Sequence, residues 1–169
     1  TIGRRQRQMC IRDRFVNETF SRRLSKFEVL PNGNLINKKI VTEFGIGEFP
    51  DGLAFDTDGG VWVTCIVSNK LIYVNQNGHK ETIIDDSDFD HVSNVENAYQ
   101  KGILERKHLD NIVSHKLMNI SSIAFGGLDL KTVFLGCLLG DRISTFKSEK
   151  AGLPPSHWKP IKLVNKNYS

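Results

Sequence analysis

The segment LAFDTDGGVWVTC, residues 53–65, contains two short apolar runs separated by a polar turn. Residues 53–55 and 61–65 are rich in the aliphatic, β-branched and aromatic residues that favour strands. Asp58, Gly59 and Gly60 between them are typical of a tight turn, because aspartate and glycine accept the backbone conformations that turns require. The segment therefore predicts an antiparallel β-hairpin.

Two more strand-like runs follow this hairpin at short spacing. Residues 70–74 and 81–84 are apolar in pattern, and Asn77 and Gly78 form a turn signal between them. Four short antiparallel strands joined by tight turns make one blade of a β-propeller, in which blades are arranged around a central channel. Residues 53–84 therefore predict one complete blade.

The same pattern recurs before and after this blade. The runs RLSKF, KLIYV and RISTF begin at Arg23, Lys70 and Arg142, and each has a basic residue, an aliphatic residue, two variable residues and then Phe or Val. The run IAFGGLDLKTVFLGC, which ends at Cys137, repeats the hairpin that ends at Cys65. Arg23 and Lys70 are 47 residues apart, close to the ~40–50 residues of one blade. The sequence predicts an all-β fold of about two and a half to three blades.

The later blade contains an insertion at about residues 85–115. Lys70 and Arg142 are 72 residues apart, which is 25 more than the first interval. The insertion opens with four aspartates: Asp85, Asp86, Asp88 and Asp90. They lack the spacing of a calcium-binding loop. We expect them at a helix N-terminus and in a loop. Residues 92–109 are rich in helix formers, with apolar residues on one face: Val95, Tyr99, Ile103 and Leu104. Two interpretations stay open, a solvated surface insertion and a lid over one mouth of the channel.

The N-terminal segment is strongly basic, and we do not expect it to belong to the fold. One DNA sequence that encodes residues 4–13 is that of a transposon mosaic-end adapter used to prepare sequencing libraries. We therefore interpret residues 1–14 as an adapter-derived, disordered artefact. The chain has 23 Lys+Arg and 19 Asp+Glu, and without the five arginines and one aspartate of this segment the balance is 18 of each. The basic pI of about 9.0 is then no reason to expect a nucleic-acid partner.

Three incomplete blades do not close a ring. At ~45 residues per blade, residues 15–147 correspond to roughly half of a six-bladed propeller. We therefore expect the chain to be a C-terminal fragment of such a propeller. Residues 148–169 contain a proline pair and an apolar run at 161–164, which predict either a flexible tail or a strand that completes the last blade.

The stretch FPDGLAFDTDGGVWVT, residues 49–64, resembles a known family. Together with NETFSRRLSKFEVLPNG before it and NISSIAFGGLDLKTVFLG after it, it is similar to the senescence marker protein/gluconolactonase/luciferin-regenerating enzyme family of six-bladed propellers. The most specific element runs from Pro50 to Val63, where a P-D-G triplet is followed by an apolar run, a turn and the pair Trp-Val. The resemblance extends from about residue 15 to about residue 146.

This resemblance implies a hydrolase that opens a small, sugar-derived lactone with the help of one divalent metal ion, calcium or zinc. It also implies that Asp51, the aspartate of the P-D-G triplet, is a metal ligand at the mouth of the channel and the general base. The family's other ligands, a glutamate of the first blade and an asparagine of an upstream blade, have no counterpart here, and we do not transfer the asparagine's role to Asn17. We therefore expect the chain by itself to bind metal poorly and to lack lactonase turnover.

The motif residues also have plainer interpretations. Asp-Gly is a common turn dipeptide, so the alternative function is a non-catalytic propeller that binds or scaffolds. An offset of 70 residues, which pairs Phe55 with Phe125, places Ser121 at the position of Asp51. We predict that Ser121 lines the same channel and binds substrate. The large aromatic residues are expected to pack between blades: Trp62, Phe125 and Phe134.

The cysteines and histidines indicate no additional site. Cys65 and Cys137 end equivalent strands and are expected to be small buried hydrophobic residues, and the chain's three cysteines define no disulfide framework. The five histidines form no HxH or HxxxH pair, so the zinc signature is absent. The chain has no run of 18 apolar residues that could cross a membrane. We expect a small lactone as partner and neither nucleic acid nor a membrane, and a cytoplasmic location is favoured.

Overall fold

The computed structural model describes residues 12–111, 113–114 and 116–155. These residues form ten strands and two helices, which are in chain order β1 (Arg12–Glu18), β2 (Arg23–Val29), β3 (Leu35–Glu43), β4 (Glu48–Phe55), β5 (Val61–Val67), β6 (Lys70–Val74), β7 (Lys80–Asp85), α1 (Phe89–Gln100), α2 (Arg106–Leu109), β8 (Ile120–Gly126), β9 (Thr132–Cys137) and β10 (Ser144–Lys147). Neither helix is long and apolar enough to span a membrane.

The strands form three antiparallel sheets. The first sheet has the order β1-β2-β3, the central sheet β4-β5-β6-β7 and the third sheet β10-β9-β8. Strands that follow each other in the chain are neighbours in each sheet, as short turns require. The central sheet is the four-stranded blade that the hairpin at residues 53–65 predicts. The predicted all-β propeller fold, with a helical insertion, is confirmed.

The first sheet corresponds to the last three strands of the central sheet. Glu18, the last residue of β1, pairs with Arg23, and Cys65 of β5 pairs with Lys70 in the same way. Strands β1, β2 and β3 are thus equivalent to β5, β6 and β7. Among the described residues the first sheet has no counterpart of β4.

The third sheet corresponds instead to the first three strands of the central sheet. Pro50 of β4 pairs with Cys65, and Ile120 of β8 pairs with Cys137. A register shift follows each of these pairs, so the two sheets share the position of a β-bulge as well as the regular strand pairing. Strands β4 and β8 also pack side by side. They form a common inner edge from which the sheets spread apart, as in a propeller.

The central sheet is covered on both faces, which explains why all seven residues of β5 are buried. Side chains of a strand alternate between faces. One face of β5, with Val61, Val63 and Cys65, packs against Leu24 and Phe44 near the first sheet. The other face carries Trp62, which packs against apolar residues of the third sheet: Ile120, Val133 and Leu135.

Two of the three aromatic residues predicted to pack between blades do so. The Trp62 and Phe125 rings are 5.5 Å apart in an edge-to-face arrangement, which is favourable beyond simple burial. The prediction for Phe134 is wrong, because this side chain is 38% exposed and lies on the outer face of β9, beside Gly126.

The insertion between β7 and β8 is packed against the sheets. In α1 the residues Val95 and Ala98 are buried, and Val95 lies in a cluster with Phe49, Ile66 and Val67. The helix is shorter than residues 92–109, since it ends at Gln100 and Gly102 has a φ of +67°, a conformation that glycine adopts readily.

The face predicted for this insertion is only partly correct. Tyr99 and Leu104 pack on the cluster around Phe49, as predicted. The prediction for Ile103 is wrong, because its side chain is 59% exposed. Residue 103 lies after the end of α1, where the helical periodicity that placed it on the buried face no longer holds.

Residues at both ends of the described chain pair with the sheets. Residues 12–14 were expected to be disordered but lie in β1, where Asp13 pairs with Glu28 and Arg14 with Phe27, because the ladder with β2 extends to the end of the neighbouring strand. At the other end, Gly152 forms an isolated bridge with Asp56, so part of the segment beyond residue 147 is pinned to the central sheet. Residues 1–11 and the apolar run at 161–164 lie outside the described residues.

Candidate functional site

Asp51 lies at a β-bulge in the inner strand β4. Pro50 pairs with Cys65 and Leu53 with Val63, so Asp51 and Gly52 together lie opposite the single residue Thr64. A bulge of this kind bends the strand and changes the direction of a side chain. Asp51 is accessible to solvent. The neighbouring protein atoms nevertheless shield part of its carboxyl group from water, and this desolvation raises the pKa of Asp51 above the ordinary value.

Side chains of two different sheets hold this bulge in place. The hydroxyl of Thr64 accepts a hydrogen bond from the Gly52 backbone N–H at 3.0 Å. The Nδ2 of Asn17, on β1 of the first sheet, donates to the Asp51 carbonyl at 2.8 Å. The backbone that carries the Asp51 carboxylate is therefore fixed from both sides.

Ser121 occupies the equivalent bulge of β8. Ile120 pairs with Cys137 and Ser122 with Gly136, so Ser121 is left between them, as Asp51 is left after Pro50. A β-carbon added to Gly52 would lie 2.5 Å from the Ser121 carbonyl oxygen, which shows how closely the two bulges approach. The structure thus brings Asp51 and Ser121 to neighbouring positions on adjacent inner strands. Substrate binding by Ser121 stays a prediction.

Asn17 was not predicted as part of this site. It pairs with Leu24, just as Thr64 pairs with Leu71, so Asn17 and Thr64 are equivalent positions of their sheets. The signal was present in the repeat alignment, because Asn17 lies six residues before Arg23 and Thr64 six before Lys70. Its Oδ1 is buried and accepts no hydrogen bond from any residue that the structure describes.

The residues around Asp51 fit a hard cation only in part. Their side-chain donors are oxygens, from the Asp51 carboxylate, the Asn17 amide and the hydroxyls of Thr64 and Ser121. Calcium prefers such ligands, whereas zinc prefers nitrogen and sulfur. Calcium takes about six to eight oxygens. Within residues 12–155, apart from 112 and 115, no group of three or more His, Cys, Asp or Glu side chains could hold a metal ion. These residues do not form a complete metal site.

The other chemically active residues have structural roles. Asp56 is almost fully buried, and its carboxylate accepts hydrogen bonds from the Gly60 N–H at 2.8 Å and the Trp62 indole N–H at 3.0 Å. Cys65 is fully buried, and burial strongly raises the pKa of its thiol, so it is no nucleophile. The thiol of Cys137 donates to a backbone carbonyl.

The aspartates of the insertion act as caps and loop acceptors, as predicted. Asp88 is the N-cap of α1 and accepts a hydrogen bond from the His91 N–H at 2.8 Å. Asp86 accepts from the N–H groups of Lys116 and Leu117. These contacts use the carboxylates to hold the insertion between β7 and β8.

Next to Asn17, the carboxylate of Glu18 forms the centre of a charged cluster. Arg23 donates to it at 2.9 Å, Lys38 lies at 2.7 Å, and Ser25 also donates to it. These contacts, with that from Arg23 the strongest, lower the pKa of Glu18 from 4.5 to about 2.

We expect the contribution of Glu18 to stability to depend on pH. Because its pKa is lowered in the folded state, ionised Glu18 stabilises the fold above pH 4.5, and this contribution is lost as the pH falls through about 2. Glu18→Gln should lower the free energy of unfolding by roughly 1 kcal/mol at pH 6, since the carboxylate is partly exposed, and the difference should shrink below pH 4.5. Urea unfolding at several pH values measures it, with the exposed Glu81→Gln as control. A difference that does not change with pH would contradict the assignment.

Three antiparallel sheets that diverge from a common inner edge, with a carboxylate exposed at a bulge on that edge, define this chain as part of a β-propeller. A family model described as the SMP-30/gluconolactonase/LRE-like region matches residues 12–96, half of the chain. The chain therefore belongs to the SMP-30/gluconolactonase/LRE-like family.

Two solved structures agree with this assignment at the level of the fold. A luciferin-regenerating enzyme matches with a TM-score of 0.50 and 15% identity, over 73% of this chain and 33% of the other. A structural-genomics target assigned as a gluconolactonase matches with a TM-score of 0.53 and 13% identity, over 83% of this chain and 37% of the other. The calcium-binding protein regucalcin from Agrobacterium tumefaciens strain C58 has a TM-score of 0.48 and 13% identity, over 73% and 33%. The chain thus spans about a third of the length of these structures. No curated protein sequence matches it significantly.

Proposed function

We propose that this chain is part of a longer, divalent-metal-dependent hydrolase that opens a small lactone, and that Asp51 is its general base and one metal ligand. The observation that carries the proposal is the position of Asp51, whose exposed carboxylate lies at a bulge on the inner strand β4, beside the equivalent bulge of β8. Membership of the gluconolactonase family supports it.

The chemistry that we assign to Asp51 is proton transfer. In the hydrolysis, the oxygen of a water molecule adds to the lactone carbonyl carbon and its proton passes to the Asp51 carboxylate. The ring carbon–oxygen bond then breaks, and the proton passes on to the alkoxide that leaves, so that the product is a hydroxy acid. Partial burial raises the pKa of Asp51, and a higher pKa makes the carboxylate a stronger base at neutral pH.

A bound divalent cation would polarise the lactone carbonyl and assist ionisation of the water. Asp51 would supply one ligand and the Oδ1 of Asn17 a second, while the remaining ligands would come from outside the described residues. The oxygen donors favour calcium over zinc. The sugar-derived nature of the substrate, implied by the family resemblance, stays a prediction.

Replacing Asp51 with Asn in the longer protein tests the proposal. We expect kcat for lactone hydrolysis to fall by roughly 10²–10⁴-fold, because the amide cannot accept the proton. The variant should fold. Burial raises the pKa of Asp51, which means that the folded state disfavours the charged carboxylate. Removing this charge therefore does not destabilise the fold at neutral pH. Lactone hydrolysis followed by pH-stat titration measures the effect.

Asp58→Asn is the matched control, because the Asp58 carboxylate is exposed in the β4–β5 turn and contacts Lys150; it should keep full turnover. Full activity of Asp51→Asn would reject Asp51 as base and as essential ligand.

If the longer protein hydrolyses no lactone in the presence of calcium or zinc, the alternative of a non-catalytic binding or scaffold propeller is correct. The 169-residue chain alone should show no turnover, and measurable hydrolysis by it would contradict the expected incompleteness of its site.

A further inference from the structure

An apolar groove of about 360 Å³ lies between the helical insertion and the ends of the sheets. Its volume is in the range of small-molecule sites, about 300–1,000 Å³. Most of its wall consists of apolar side chains from the insertion, from β5 and from the segments that follow β1 and β9: Phe20, Ile66, Leu104, Leu109 and Leu138.

The groove lies one strand outward from the inner edge that carries Asp51, because Ile66 of β5 lines it and no residue of β4 or β8 does. Phe20 follows β1, Ile66 lies in β5 and Leu138 follows β9, so equivalent strands of all three sheets end at the groove. Ile66 pairs with Phe49 of β4. Phe49 lies two residues before Asp51, which corresponds to about 7 Å along the strand.

The charged residues at the groove are already paired. Arg106 and Asp110 form an ion pair at 2.7 Å, and Glu105 forms one with Lys107 at 2.7 Å. Both pairs are exposed to solvent, and the rest of the groove wall offers apolar contact. A polyhydroxylated group placed against the apolar wall would lose hydrogen bonds to water without replacing them, which is unfavourable.

We propose that this groove binds an aliphatic substituent of the substrate, so that the lactone carries an alkyl chain while its ring lies toward Asp51. This inference rests on the proposed function and specifies its substrate class. It is an alternative to the sugar-derived lactone that the family resemblance implies, because the apolar side chains of the wall offer no hydrogen-bond partners to hydroxyl groups. The insertion, through Leu104 and Leu109, is then a specificity-determining wall of the site.

The test uses the 169-residue chain and methyl NMR spectroscopy with two lactones of the same ring size, γ-decanolactone and D-galactono-1,4-lactone. We expect γ-decanolactone to shift the methyl signals of Ile66, Leu104 and Leu138 in a saturable manner. The polyhydroxylated lactone should leave these signals unchanged. The chain needs no catalytic activity for this measurement.

Leu138→Gln provides the decisive variant, because Leu138 lines the groove but is 52% exposed, so the fold should tolerate the change. We expect the Kd of γ-decanolactone to rise by about tenfold. Leu128→Gln is the matched control, since Leu128 is fully exposed away from the groove, and its Kd should change by less than about twofold. Phe20→Gln, on another wall of the groove, should repeat the loss.

Three results would overturn the inference: no saturable shift at the groove methyls, equal Kd values for the two leucine variants, or equal binding of both lactones. Such a result would leave the role of Asp51 intact, because turnover of any lactone by the longer protein tests that role separately. Conversely, binding of γ-decanolactone in the groove together with full activity of Asp51→Asn would refute the proposed base and retain the groove.

Discussion

Gly52→Ala should lower the free energy of unfolding by about 3 kcal/mol or prevent folding. A β-carbon at Gly52 would lie 2.5 Å from the Ser121 carbonyl oxygen and 2.7 Å from the Ser122 Cα. Both are backbone atoms that no side-chain rotation can move. The inner strands β4 and β8 would have to separate, and the bulges of Asp51 and Ser121 would separate with them.

Urea unfolding followed by tryptophan fluorescence measures this loss, because Trp62 is buried between the central and third sheets. Gly45→Ala is the control. Its β-carbon would have no heavy-atom neighbour closer than 3.5 Å, an ordinary van der Waals contact, so its free energy of unfolding should change by less than about 1 kcal/mol. Equal effects of the two substitutions would show that the close approach of β4 and β8 is wrong.

The second large effect concerns the contact that holds α1 to the sheets. Arg22, in the β1–β2 turn, forms an ion pair with Glu96 of α1 at 2.6 Å, and the two side chains are only 12% and 13% exposed. The guanidinium also lies over the Tyr99 ring at 4.1 Å and the Phe49 ring at 4.6 Å. Glu96 accepts a further hydrogen bond from the Gly47 N–H.

Glu96→Ala should therefore destabilise the fold by about 3 kcal/mol, because it leaves a largely buried arginine without its counter-charge. The loss should be accompanied by faster amide hydrogen exchange in α1, since the insertion is anchored there. Asp141→Ala serves as control, as Asp141 pairs with Arg142 at an exposed site, and it should change stability by less than about 0.5 kcal/mol. If both variants unfold at the same urea concentration, the Arg22–Glu96 pair does not anchor the insertion.

Much of the fold could be predicted because its signals are local. The strands of the central sheet follow from apolar runs of three to five residues separated by turns at Asp58-Gly59-Gly60 and Asn77-Gly78. The recurrence of the same runs at Arg23 and Arg142 predicted the neighbouring sheets. Errors arose where local periodicity was extended too far, as for Ile103, which lies beyond the end of α1.

The repeat, the turns, the insertion and the position of Asp51 in the P-D-G triplet could all be read from the amino-acid sequence, because each depends on residues close together in the chain. Only the tertiary structure brought Asn17 to the carbonyl of Asp51, 34 residues away, and Ser121 against Gly52. Only the tertiary structure gathered Phe20, Ile66 and Leu138 around one groove. Contacts at such separations arise from how sheets pack around a shared edge, and no short pattern of residues encodes that packing.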